Sequence, residues 1–181
     1  MPRDARILIV DGHDDTLYAL ESALAPLGHL LGRATTSEEA LKQLLRGTVG
    51  LVLLNIRTPG TGGLDVVRYM RRLEQTQHIP AVLLTAFGRD RELGAAAYAL
   101  GVADVVPKPV DPWALRIKIR HLYDAHQRRL ALEREIRELR ARLAPAPAGA
   151  PPRAALPHPT PHPPPGHPAG AYAEELEPDR T

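Results

Sequence analysis

Five short apolar runs separated by helix-forming stretches limit the fold of this chain more than any other feature of its sequence. The clearest run covers residues 50–55, which begin at Gly50 and are followed by the turn signal Pro59-Gly60. An apolar run of this length predicts a strand buried on both faces of a sheet. The other runs cover residues 6–10, 30–35, 79–85 and 102–106. Strands that alternate with helices predict an α/β fold, in which a doubly wound parallel sheet lies between two helical layers.

The helices between these runs begin and end at recognisable residues. Residues 14–27 carry apolar side chains at helical spacing, and Gly28 ends that helix. The next helix begins after Thr36, because its hydroxyl can accept a backbone N–H and two acidic residues follow in the first turn. Further helices are expected over residues 64–73 and 89–100.

The last helix begins at Asp111-Pro112, since Asp is favoured at the N-cap and Pro at the first helical position. Its apolar residues Leu132, Ile136, Leu139 and Leu143 follow at 4-3-4 spacing, the seam of a short coiled coil. The seam covers about two heptads, fewer than the three or four that identify a coiled coil from sequence. A solvated single helix and a paired helix both stay open. The paired form predicts a homodimer, or a complex with a partner, through residues 113–143.

Composition divides the chain into three segments. Residues 4–125 contain the alternating strands and helices, and residues 126–144 extend the last helix. Residues 145–181 form the third segment, and eleven prolines lie between residues 145 and 170. This segment is expected to be a disordered or polyproline II tail, because it has too few apolar side chains to form a core.

Composition also excludes several classes of protein. The absence of Cys excludes disulfides, thiolate metal ligands and a Cys nucleophile. No apolar run approaches the roughly 18 residues of a membrane span, and the first residues do not resemble a signal peptide, so a cytoplasmic location is expected. The net charge of +2 is too small to indicate nucleic acid binding. However, residues 113–143 hold nine Arg or Lys against four Asp or Glu, so non-specific DNA association is kept as an alternative.

Four polar residues follow the predicted strands at one edge of the sheet: Asp11, Asn55, Thr85 and Lys108. In an open α/β sheet, ligands bind outside the carboxyl ends of the strands, so this edge is the expected functional site. With Pro59-Gly60 and Pro109, these positions resemble the receiver domain of bacterial two-component response regulators over about residues 4–125. The resemblance implies a flavodoxin-like sheet of order 2-1-3-4-5 and a role in phosphorelay signalling.

The resemblance also implies a role for each position. In receiver domains the position of Asn55 holds an aspartate that accepts a phosphoryl group and binds Mg²⁺ together with two acids after the first strand. Thr85 would sense the phosphoryl group, Lys108 would contact it, and an aromatic side chain at position 105 would swing inward on activation. This chain departs from that pattern at three positions: Asn55 replaces the phosphoacceptor, Gly12 replaces the second acid, and Val105 replaces the aromatic switch.

These departures weaken both the nucleophile and the metal site. A neutral amide is a poor nucleophile, whereas the family's carboxylate is anionic. Mg²⁺ prefers carboxylate oxygens, and Asp11 is the one acid kept, so Mg²⁺ binding is expected to be weak or lost and no other cofactor is expected. His13, Asp14 and Asp15 could partly compensate for the lost acids, but acids at a helix start also serve as N-caps.

The sequence therefore predicts a phosphorylation-independent receiver, which is a protein-binding module and not an enzyme. Its expected partner is a histidine kinase or another regulator. The alternative within the same family is a phosphoacceptor that uses a neighbouring acid, for which Asp11 is the candidate.

Overall fold

The computed structural model describes residues 5–86 and 91–143. The strands in these residues are β1 (Arg6–Val10), β2 (Leu31–Ala34), β3 (Val49–Asn55), β4 (Ala81–Thr85) and β5 (Asp104–Pro107). They form one parallel sheet in the order β2-β1-β3-β4-β5. The predicted α/β class and strand order are confirmed.

The α-helices that alternate with these strands are α1 (Asp14–Leu24), α2 (Ser37–Leu45), α3 (Gly63–Arg72), α4 (Arg91–Ala99) and α5 (Pro112–Leu143). Helix α1 ends earlier than predicted, because residues 25–27 form a 3₁₀ turn that contains Pro26, which has no backbone N–H to continue the α-helix. Strand β5 begins two residues later than predicted, since the N–H of Val102 still bonds Ala97 at the end of α4.

Apolar side chains fill both faces of the sheet. Every residue of β3 is buried, which agrees with its continuous apolar sequence. One core cluster joins the sheet to α2, α3 and α4, and the other joins it to α1 and α5. The two helical layers predicted from the alternation are therefore present. Among the described residues, no helix is both long and apolar enough to cross a bilayer.

Helix α5 is anchored at its start and leaves the sheet further along. One carboxylate oxygen of Asp111 accepts the backbone N–H groups of Trp113 (2.8 Å) and Ala114 (3.2 Å), as an N-cap residue does. The helix packs on the core through Leu115, Ile119 and Tyr123. With 32 residues it is about 48 Å long at 1.5 Å per residue.

The predicted segment boundary at residues 125–126 falls inside α5, which continues without interruption to Leu143. A separate role for residues 126–144 stays a prediction. The predicted Pro-rich tail lies outside the described residues.

His126 lies where α5 leaves the sheet. Its ring stacks on His78, with the ring centroids 5.4 Å apart, and only 6% of the residue is exposed. Burial, followed by the nearby charges of His78 and Arg129, lowers the pKa of His126 from 6.5 to about 4, while Glu133 opposes them. The folded chain therefore holds His126 in its neutral form at pH values where an exposed histidine would be protonated.

We expect the folded chain to lose stability as the pH falls from 6.5 to about 4. In this window the unfolded chain binds a proton at residue 126 and the folded chain does not. Between neutral and acidic pH, the free energy of unfolding should fall by on the order of 2 kcal/mol less in His126→Gln than in the wild type. Urea unfolding at the two pH values measures this difference. His121→Gln, at an exposed position of the same helix, is the matched control. An unchanged pH dependence in His126→Gln would contradict this account.

Candidate functional site

The four polar residues predicted at the carboxyl edge do lie at that edge. Asp11 follows β1 directly, Asn55 and Thr85 are the last residues of β3 and β4, and Lys108 follows β5 directly. Because the strands are parallel, these ends meet on the same side of the sheet. Contacts between side chains join Asp11 to both Asn55 and Lys108.

The carboxylate of Asp11 is the centre of the site. It is fully buried, and each of its oxygens has two neighbours. Oδ2 accepts a hydrogen bond from the amide of Asn55 at 2.8 Å and from Nζ of Lys108 at 3.1 Å. Oδ1 accepts the backbone N–H of His13 at 3.0 Å and lies 3.1 Å from Nδ1 of the same residue. The charge of this buried acid is thus met entirely by groups of the protein.

The pKa of Asp11 reflects two opposing effects. Burial raises it, because water no longer solvates the charged form. The hydrogen bonds from Lys108 and His13 together outweigh burial and leave the pKa below its ordinary value of 3.8. Asp11 is therefore ionised at neutral pH, and Lys108 is the ammonium group beside it.

The amide of Asn55 is held at both ends. Its nitrogen donates to Asp11, and its oxygen accepts the backbone N–H of Arg57 at 3.2 Å. A carboxylate and a backbone N–H therefore fix which end of the amide is which. A carboxylate at position 55 would place a second negative charge against that of Asp11. The amide satisfies Asp11 with a neutral donor instead.

The position of the missing second acid is filled from another loop. An added Cβ at Gly12 would lie 2.6 Å from Cδ of Pro59, closer than real Cβ atoms approach other atoms. Pro59 would have to move before any side chain could stand at position 12. An acid could therefore be restored at position 12 only if the loop after β3 also moved.

The N-cap of α1 is not one of the two acids that the sequence suggested. The N-cap of α1 is His13, so the interpretation of Asp14 or Asp15 as the N-cap is wrong. Both acids lie in the first turn, where they interact favourably with the positive end of the helix dipole. The backbone N–H of His13 donates to the carboxylate of Asp11, which precedes the helix.

Thr85, Lys108 and Val105 occupy the positions expected of them in the fold. Thr85 is buried, and its carbonyl accepts the N–H of Lys108 at 2.8 Å, so the ends of β4 and β5 are joined. The Lys108–Pro109 peptide is cis. Val105 is half-buried and packs against the core cluster of α2, α3 and α4. A small aliphatic group thus stands where the resemblance implied a mobile aromatic one.

The glycines after β3 serve the turn. Gly60 and Gly62 have positive φ values of 101° and 81°, which favour glycine. A Cβ at Gly63 would lie 2.6 Å from the carbonyl oxygen of Asn55, so α3 can begin this close to β3 only with glycine there. These three glycines therefore shape the turn between β3 and α3.

The side chains at this edge do not offer the free carboxylate oxygens that Mg²⁺ prefers as ligands. Both oxygens of Asp11 already accept bonds, one of them from an ammonium group. Gly12 offers no side chain, and Asn55 directs its nitrogen toward the acid. In the described part of the chain, no cluster of three or more His, Cys, Asp or Glu could hold a metal ion.

Residues 7–120, more than half of the chain, match the response regulator receiver domain family. The chain belongs to this family. The match covers the sheet, α1 to α4 and the first part of α5, and membership assigns this region to two-component signalling.

Two curated relatives carry this receiver region in longer proteins. The chain is 35% identical over 105 residues to the cyclic di-GMP phosphodiesterase response regulator RpfG of Xanthomonas campestris, covering 58% of this chain and 28% of the relative. It is 33% identical over 114 residues to the transcriptional regulatory protein AfsQ1 of Streptomyces coelicolor, covering 63% and 49%. The chain thus spans less than half the length of these relatives.

Solved receiver structures share the fold. A response regulator from Chloroflexus aurantiacus superimposes with a TM-score of 0.62 at 28% identity, covering 66% of this chain and 98% of that one. The receiver domain of an HD domain-containing protein from Pseudomonas fluorescens gives a TM-score of 0.64 at 25% identity, covering 71% and 93%. Nearly the whole of each solved chain thus corresponds to the receiver region of this protein.

Sequence reasoning named His13 only as a possible compensation for the lost acids and missed its bond to Asp11, and it missed the contact of Pro59. His13 follows Asp11 at a spacing typical of an Asp side chain that accepts a nearby backbone N–H, so a local signal for it existed. Pro59 had no such signal for its contact at Gly12, because 47 residues separate them and the fold alone brings them together.

We expect Asn55→Asp to destabilise the receiver domain at neutral pH. The new carboxylate would face that of Asp11 and remove its neutral donor, at a cost of roughly 2 kcal/mol or more. Urea unfolding with and without millimolar Mg²⁺ measures this loss and any relief by the cation. The double variant Asp11→Asn/Asn55→Asp, which again pairs one amide with one carboxylate, is the control and should recover part of the loss. Wild-type stability in Asn55→Asp would contradict the description of this pair.

Lys108 should set the pH at which the domain loses stability in acid, which we call the acid limb of the stability curve. Because the folded pKa of Asp11 is lowered, its contribution is present above pH 3.8 and is lost as the pH falls through the lower folded value. Lys108→Met leaves Asp11 buried without its cation, so the pKa of Asp11 rises and the acid limb moves to higher pH. Lys118→Met, which removes a Lys paired with the partly exposed Asp104, is the matched control. Unfolding curves measured between about pH 2.5 and pH 6 test this, and coincident acid limbs would refute it.

Proposed function

We propose that this chain is a receiver module whose signalling does not depend on phosphorylation. It would act by binding other signalling proteins and would not be an enzyme. The observation that supports this best is the hydrogen bond from the Asn55 amide to the buried carboxylate of Asp11. A neutral, doubly held amide stands at the position where receivers offer an anionic nucleophile.

The charge at the site supports the same proposal. The receiver pattern has three carboxylates and one Lys, whereas this chain has Asp11 and Lys108, whose charges cancel. At about 4 Å and an effective dielectric near 20, each lost negative charge removes on the order of several kcal/mol of attraction for a divalent cation. We propose on this ground that Mg²⁺ binding is weak or lost and that the module needs no cofactor.

The switch positions fit a receiver held in one state. Lys108, which would contact a phosphoryl group, is bonded to Asp11 in the protein as it stands. Val105 packs in the core cluster and has no ring to move inward. We therefore propose that the contacts of Asp11 fix one conformation of the edge, and that partners recognise this conformation without a phosphorylation step.

The proposed partner is a histidine kinase or another response regulator of the same signalling system, in the cytoplasm. The surface we assign to it follows β5 and the start of α5. Trp113 of α5 and Tyr98 of α4, whose hydroxyl lies 3.3 Å from the carboxylate of Asp104 in β5, are each more than half exposed. Aromatic side chains at exposed positions are typical anchors of protein interfaces.

The two alternatives receive less support. Asp11 is the acid nearest the site, but it is fully buried and both of its oxygens accept hydrogen bonds, so it is poorly placed to attack a phosphodonor. DNA association rests on the basic side chains of α5 alone, and two of these nine are already paired, Lys118 with Asp104 and Arg129 with Glu133.

The test is intact-mass measurement of the full chain after incubation with Mg²⁺ and acetyl phosphate, beside an authentic receiver as positive control. We expect no phosphoryl adduct on the wild type. Asn55→Asp should gain at most a partial adduct, because Gly12 still lacks the second acid and Pro59 crowds that position. A stoichiometric adduct on the wild type would overturn the proposal, and fragment masses would then identify the acceptor.

A further inference from the structure

The second half of α5 carries an apolar stripe that nothing in the described part of the chain covers. Leu132, Ile136, Leu139 and Leu143 are 59%, 46%, 49% and 82% exposed. They continue the helix at 4-3-4 spacing, and we call them the α5 seam. Four large apolar side chains on one line of an exposed helix are unusual unless the line packs against another helix.

The α5 seam faces away from the side of the helix that packs on the sheet. The sheet-facing stripe runs through Leu115, Ile119, Tyr123 and His126. At about 100° per residue, the mean direction of the seam lies about 125° around the helix axis from that stripe. A second helix can therefore approach the seam without displacing α5 from its own domain.

We propose that the α5 seam pairs with the same seam of a second copy of this chain in a parallel, two-stranded coiled coil over residues 128–143. The inference goes beyond the proposed function, because the seam is remote from Asn55 and pairing needs no particular state of that residue.

The core positions favour two helices. The spacing places Leu132 and Leu139 at d positions, and Arg129, Ile136 and Leu143 at a positions of the heptad. In parallel coils, leucine at d with β-branched isoleucine at a favours two strands, and Ile136 gives that combination at the centre of the seam. The core of the coil therefore indicates the number of helices.

The flanking charges complement each other between two copies. In a parallel pair, each g residue lies near the e residue of the following heptad on the other helix. That rule brings Arg128 near Glu133 of the second copy, and Glu135 near Arg140 of the second copy. Each of these contacts joins opposite charges. Neither Glu135 nor Arg140 has an ion-pair partner in the described part of the chain, so both are available for it.

Charge alone does not fix the direction of pairing. An antiparallel pair centred on the seam would set Glu133 against Arg140 and Glu135 against Arg142 of the second copy, which are also opposite charges. We propose the parallel arrangement because isoleucine at a between leucines at d is the pattern that gives two strands in parallel coils, and the third test below measures the direction.

The first test measures the mass of the full chain by sedimentation equilibrium over a range of concentrations. We expect a concentration-dependent dimer for the wild type. Ile136→Asn should weaken it by roughly tenfold or more, because a core position of a short coil becomes polar. Ile117→Asn is the matched control, since Ile117 is the same residue on the same helix at 50% exposure, outside the seam. A monomeric wild type, or equal weakening by both variants, would overturn the proposal.

A second test uses the charges. Glu135→Arg and Arg140→Glu should each dimerise roughly fivefold or more weakly, because each creates like-charge contacts between copies. An equimolar mixture should recover wild-type association, since the mixed dimer again joins opposite charges. Recovery supports pairing between copies along these flanks, and its absence would overturn it.

A third test reads the direction of the helices. The chain has no Cys, so Leu143→Cys introduces a single thiol. In a parallel dimer the two thiols meet and form a disulfide on mild oxidation, whereas an antiparallel dimer separates them. A dimer that fails to cross-link would overturn the parallel arrangement. Running the acetyl phosphate experiment on the same preparations keeps the two proposals distinguishable, because phosphoryl uptake bears on Asn55 and association bears on the α5 seam.

Discussion

The carboxylate of Asp11 lies between the ends of three strands without contact to water, and the rest of the site depends on how its charge is met. A buried charge is costly unless it is paired and hydrogen-bonded. Lys108 brings a positive charge from the end of β5, and Asn55 brings a neutral donor from the end of β3. An acid at position 55 would need a cation in the same space. The amide hydrogen-bonds Asp11 without adding a second negative charge, and the proposed loss of phosphorylation and of Mg²⁺ binding depends on this contact.

Helix α5 connects this edge to a surface far from it. It begins four residues after Lys108, packs on α1 and the sheet through its first half, and continues as an exposed helix. His126 and His78 mark the point where the helix leaves the domain. If two copies pair through the α5 seam, the helices also join two receiver domains, each carrying its own carboxyl edge. The receiver region and the helix beyond it would then form one signalling unit whose assembly depends on concentration.

Much of this structure could be predicted from the sequence. The five strands and the edge where Asp11, Asn55, Thr85 and Lys108 gather follow from apolar runs and strand ends, because buried parallel strands leave a strong local pattern. The order of the strands was implied by the resemblance to receiver domains. Element ends were less predictable. The end of α1 at Leu24 and the late start of β5 depend on Pro26 and on a bond that closes α4, and apolar spacing does not record either. The N-cap role of His13 was missed because acids beside it gave the stronger local signal.

The sequence by itself determined the class of fold, the residues at the carboxyl edge and the replacement of an acid by Asn55, since these depend on residue identity and on periodicity along the chain. The tertiary structure decided how those residues meet. It set the Asn55 amide and the Lys108 ammonium on the same oxygen of Asp11, and it brought Pro59 into the space beside Gly12. It also turned the α5 seam away from the sheet. Such contacts join residues far apart in the chain, and only the packing of the whole domain fixes their distances and directions.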